Sequence, residues 1–124
     1  MSATLSLLEP PPGLAPHRSF ELRELDGAPG VFAMESTDGP LRVFVLDASV
    51  HAATYQPELS DEDASRLGIT APEDALVLLV ATPHDAGIRV NLLAPIVVNA
   101  TTGVGNQVIL DQDLPLAAEL PLAN

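Results

Sequence analysis

The chain has 124 residues, enough for one domain, with 17 Asp+Glu against 5 Lys+Arg and a formal net charge of −12. All five cations are Arg, Cys is absent and aromatic residues make up 3%. This composition excludes disulfides, a thiol nucleophile and a Cys-ligated metal. It also argues against direct nucleic-acid binding, because the charge repels phosphate and base-stacking side chains are scarce.

Met1 to Pro16 is rich in Pro, including Pro10-Pro11-Pro12-Gly13. Proline fixes φ and lacks an N–H, so the stretch is predicted to stay out of any central strand or helix interior. Residues 1–11 are expected to be a flexible N-terminal segment of a single domain spanning 1–124. Phe20 to Leu25, Val31 to Glu35 and Leu41 to Leu46 read as strands. The turns between them are Asp26-Gly27-Ala28-Pro29-Gly30 and Thr37-Asp38-Gly39-Pro40. A recurrence of about 8–12 residues is the rhythm of an antiparallel all-β domain.

Ser60-Asp61-Glu62-Asp63 then breaks this rhythm. Ser60 can cap a helix, the acids suit its positive end, and Gly68 can take the left-handed residue that stops it. One short helix near residues 60–67 is therefore predicted. Leu76 to Val80 is continuously apolar and reads as a strand buried on both faces. Pro83 to Gly87 is a turn; Ile88 to Leu93 and Ile96 to Asn99 are strands broken at Pro95. Thr101 to Asn106 reads as a tight loop, Gln107 to Leu110 as the last strand, and Asp111 to Asn124 as a tail of weak periodicity. The longest apolar run, Ala75 to Ala81, is far short of the ~20 residues of a membrane helix. The start lacks a basic n-region, so a cytoplasmic location with no membrane contact is expected.

Candidate chemistry is sparse. His17, His51 and His84 stand at no metal-ligand spacing, and His17 and His84 read as exposed loop residues. Asp61-Glu62-Asp63 lacks the spacing of a calcium loop and reads as helix-start electrostatics. Gly103-Val104-Gly105 lacks the Lys-Ser/Thr ending of a phosphate loop. No catalytic pair, cofactor or metal is expected, and no small-molecule substrate. The unusual stretch is Asn91 to Asn99, where two Asn bracket apolar residues around a Pro. Its bland reading is a kinked core strand. Its functional reading is an interrupted strand that leaves backbone and an apolar strip for a partner.

Asn91-Leu92-Leu93-Ala94-Pro95-Ile96-Val97-Val98-Asn99, followed by Gly105-Asn106-Gln107-Val108-Ile109-Leu110, resembles the signature of the FliW family of flagellar assembly factors. Pro12-Gly13-Leu14, Met34-Glu35-Ser36, Val43 to Asp47, Tyr55 and Leu76 to Pro83 are similar to further pieces of that family. The chain departs from the pattern at Leu14, Glu35, Ala48 and Leu114.

The resemblance implies an all-β, mostly antiparallel, small β-barrel-like domain without enzymatic activity. It implies binding of flagellin in the cytoplasm and antagonism of CsrA, a translational regulator, so that flagellin synthesis follows secretion. Within that reading, Leu93, Pro95 and Val97 are expected to line an apolar strip. Asn91, Asn99 and Gln107 would supply polar contacts, and Tyr55 an aromatic one. Glu35, Asp47, Glu58 and Asp61 would face a basic partner. The competing reading is a small β-barrel ligand-binding module or enzyme of unknown substrate, which would need a pocket with convergent polar groups.

Overall fold

A computed structural model describes residues 2–11, 14–85 and 87–120. Among these the strands are β1 (Ser2–Leu7), β2 (Ser19–Glu24), β3 (Val31–Ser36), β4 (Arg42–Asp47), β5 (Ala75–His84), β6 (Gly87–Val90), β7 (Ile96–Asn99), β8 (Val104–Gln107) and β9 (Ala118–Glu119). Helices α1 (Ala48–His51) and α2 (Asp61–Leu67) and a 3-10 turn at Pro72–Asp74 lie between β4 and β5.

Seven strands close into a barrel in the order β4-β3-β2-β1-β8-β7-β5, with β5 returning to β4. Closure removes the exposed edges that an open sheet would present. Every pairing is antiparallel except β1 with β8, where Ser6 and Leu7 face Val104 and Gly105. Strand β5 is long enough to serve three neighbours: β7 through Ala75–Leu78, β4 through Leu78–Ala81 and β6 through Ala81–His84. Strand β6 carries β9 outside the ring.

Strand alternation distributes the core. Leu5, Leu7, Phe20, Leu22, Met34, Val45, Leu78, Ile96 and Val98 fill the barrel. Their neighbours of opposite parity form two smaller cores outside it. Leu46, Leu79, Ala81 and Val90 pack with α1 residues and Leu92. Val97 packs with Leu67 of α2 and with Val108 and Leu110. Leu78 and Leu79 are both wholly buried, as the unbroken apolar run predicted for β5.

Three expectations are corrected. Ser2–Leu7 is no loose segment but a strand paired on both sides, because its alternating Leu5 and Leu7 enter the barrel core ahead of the prolines. Asn91 to Pro95 leaves the strand path, because the Asn91 side chain holds a turn there. The expected loop Thr101 to Asn106 and last strand Gln107 to Leu110 are shifted: the strand is Val104–Gln107, residues 108–110 lie beyond its end, and a short strand follows at Ala118–Glu119, although Gly103 and Gly105 flank the start of β8. A Cβ on Gly105 would lie 2.7 Å from the Val97 oxygen, so this glycine marks close strand packing. Helix α1 was not foreseen; Asp47 caps it by accepting from the Ser49 N–H at 2.9 Å. Met1, Pro12, Gly13, Ala86 and residues 121–124 lie outside the described residues, and so does most of the early Pro-Gly turn.

Candidate functional site

Helix α2 forms as its sequence dictates. The Ser60 hydroxyl accepts from the Asp63 N–H, three acids occupy the first turn, and Gly68 ends the helix at φ 69°. Its C-terminal carbonyls are satisfied from the sheet. Asn99 Nδ2 donates to the Leu67 and Gly68 oxygens at 3.0 and 3.2 Å. Asn99 Oδ1 accepts from the Thr101 and Thr102 N–H groups at 2.9 and 3.2 Å. All of this happens at 6% exposure, so Asn99 is a buried strut.

Most other residues of the expected apolar strip are also interior. Pro95 is fully buried and Val97 is 3% exposed. Asn91 is half-buried and accepts from the Leu93 and Ala94 N–H groups, both at 3.0 Å. Gln107 reaches back to donate to the Ala94 oxygen at 3.0 Å, which braces the same turn. Tyr55 donates to the Leu92 oxygen at 2.5 Å, and burial pushes its hydroxyl up to about 12.

The fold does gather a surface around this turn. Leu93 is half-buried and shares a groove of about 410 Å³ with Asn91, Gln107, Leu14, Ile109 and Leu116. Ile109 is 75% exposed and Leu116 63%. Two of the three exposed large apolar side chains among the described residues therefore stand on one groove. Ile109 was legible from alternation, since Val108 and Leu110 on either side point inward. Leu116 follows Pro115 in a stretch without periodicity, and nothing in the sequence singled it out.

The expected acids do not converge. Glu35 receives Arg23 at 3.2 Å on the β3 surface. Asp47 is engaged at the start of α1, where its Oδ1 also accepts from the Ser49 hydroxyl at 2.7 Å. Glu58, ahead of α2, and Asp61, its first residue, are exposed. Beside that helix lies a second apolar groove of about 430 Å³, floored by Val97, Ala75 and Val77 and walled by Leu59 and Ile69. His17 and His84 are less exposed than loop residues would be, and each meets an acid at 2.8 Å, Asp38 and Glu119 respectively. Among the described residues no group of three or more His, Asp or Glu is placed to hold a metal. No helix among them is long and apolar enough to cross a membrane.

Residues 2–120 match the family model described as FliW protein. A flagellar assembly factor FliW of Geobacillus kaustophilus is 37% identical over 103 residues, covering 80% of this chain and 70% of the relative. The protein of the same name from Carboxydothermus hydrogenoformans is 30% identical over 125 residues, covering 98% and 81%. The fold superposes on a crystal structure of the flagellar assembly factor FliW with a TM-score of 0.86 at 25% identity, covering 98% of this chain and 86% of that one.

Proposed function

The chain belongs to the FliW family of flagellar assembly factors, and from that premise we propose that it binds flagellin in the cytoplasm and antagonises the translational regulator CsrA, without catalysing a reaction. The groove around Leu93, Ile109 and Leu116 carries this reading. It is open and mostly aliphatic. It suits the apolar face of an amphipathic segment, the form a flagellin terminus takes on ordering. Asn91 and Gln107 shape the groove through the turn that holds Leu93, so they act by positioning.

The CsrA half rests on charge. A surface at −12 attracts a basic RNA-binding protein and accelerates encounter more than it deepens affinity. Glu58 and Asp61 are the expected acids with the freest exposure, and Glu58 stands in the chain between Pro57 and Leu59, which line the groove beside α2. Partner exchange then follows: flagellin held on the chain withdraws it from CsrA, and secreted flagellin releases it.

Titration calorimetry with purified flagellin tests the first half. Stoichiometric binding is expected, and its absence at tens of micromolar would sink it. For the second half, the association rate with CsrA should fall steeply between low and physiological salt. A rate indifferent to salt would remove the electrostatic basis.

A further inference from the structure

The segment from Asp111 to Leu120 crosses the outer face of β6 as a strap. Leu114, Ala118 and Leu120 turn inward onto the outer core formed with Leu79, Val90 and Leu92. The hold is light for ten residues. Only Ala118 and Glu119 pair with β6, opposite Val90 and Arg89. Two further backbone bonds hold it, Leu120 N–H to the Ile88 oxygen at 2.9 Å and Leu92 N–H to the Pro115 oxygen at 3.1 Å, and at its start the Gln112 side chain accepts from the Glu58 N–H at 2.8 Å and donates to the Gln56 oxygen at 3.5 Å. At its end Glu119 accepts from Arg89 Nε at 2.9 Å and meets His84 Nε2 at 2.8 Å. A short pairing with exposed ion pairs opens far more readily than a barrel ladder.

We propose that the edge of β6 and the apolar surface beside it form a strand-docking site that the chain's own strap occupies, so that a protein partner must displace the strap to bind. The strap itself reports the chemistry of that partner. It is an extended segment with an apolar residue, then after a gap a small residue, an acid and a second apolar residue, as in Leu114 and Ala118-Glu119-Leu120. Backbone bonds to β6 supply the affinity, and the acid is read by Arg89 and His84. Displacing the strap would also carry Leu116 away from the groove proposed for flagellin, but the β6 edge is read by a peptide alone and stands or falls without flagellin.

A synthetic peptide copying residues 111–120 is the probe, titrated into the full chain and into the full chain carrying Glu119→Ala and Leu120→Ala. An occupied site lowers apparent affinity by the fraction of molecules that are open. The variant should therefore bind the peptide at least about tenfold more tightly than the unmodified chain. Adding Arg89→Ala should reverse most of that gain. Equal affinities, or no binding to a variant that keeps its melting transition, would overturn the proposal. So would a concentration-dependent dimer of the variant, which would assign the site to the strap of a second copy. Hydrogen exchange in the unmodified chain is an independent check: the Leu120 amide should exchange at least about a hundredfold faster than the β7 amides. Equal protection would mean that the strap opens only with the whole barrel.

Discussion

Segments 95–99 and 107–116 meet where Ile96 pairs with Gln107, and they use similar residues in opposite ways. The first carries Pro, Ile, Val, Val and Asn, and all five side chains are buried. The second presents Ile109 and Leu116 to solvent, while Val108 and Leu110 beside Ile109 are buried. The more recognisable segment is thus architectural, and the less recognisable one bears the surface. A recurring pattern of residues records what the backbone needs, such as the turn at Asn91 and the strut at Asn99. A docking face needs only exposed apolar area, which many sequences supply.

The contrast can be broken most forcefully at Asn99. Replacement by Ala leaves two α2 carbonyls and two loop N–H groups without their partner and should cost about 2–4 kcal/mol in denaturant unfolding. A loss below about 1 kcal/mol would mean that water takes over the strut.

Tyr55 comes next. Tyr55→Phe removes the donor to the Leu92 oxygen and should cost about 1 kcal/mol. As the single tyrosine it also has its own absorbance. Its folded value of about 12 lies above the ordinary value of 10.0, so the neutral hydroxyl is favoured by folding. That contribution is complete below pH 10.0 and is lost as pH rises toward about 12, so tyrosinate absorbance should appear late or together with unfolding.

The strap gives a smaller effect. Hydrogen bonds from Arg89, then from His84, hold the Glu119 carboxyl below its ordinary 4.5. A depressed carboxylate contributes above its ordinary value and is lost as pH falls through the folded one. The amide signal of Leu120 should therefore shift at acid pH while those of β7 stay in place. Simultaneous movement would show that strap and barrel act as one.

The smallest stability effect belongs to the groove. Ile109→Ser should change unfolding free energy by less than about 0.5 kcal/mol, because the side chain is already 75% exposed. Flagellin affinity should nevertheless fall at least about tenfold, the loss expected of an interface anchor. Full binding by this variant would move the flagellin site elsewhere, and a marked loss of stability would place Ile109 with the buried segment instead.

Local signals carried a large part of the fold. The Ser60 cap, the acids after it and Gly68 delimited α2, since capping is decided within a few residues. Alternation and turn chemistry located β2 to β4, and the run at Leu76 to Val80 announced a strand with two buried faces. The first strand was hidden, because the prolines that follow it dominate the composition while Leu5 and Leu7 give only a short alternation. The site was less legible. Leu93 and Gln107 do line the groove, yet Pro95, Val97 and Asn99 turned out to be interior. A motif says which residues recur together and is silent about which way they face.

By itself the sequence determined charge, the absence of thiol chemistry, the all-β class and the family, because these follow from counts, short-range periodicity and ordered motifs. Only the tertiary structure decided that β1 closes the barrel beside β8, that β5 serves three neighbours, and that Ile109 and Leu116 come to share one groove. The physical reason is range. Turns and caps are settled by neighbours in the chain, whereas exposure is settled by whatever distant segment arrives to cover a residue. Among the described residues no distant segment covers Ile109, while Asn99, only ten positions earlier in the chain, is buried against the end of α2.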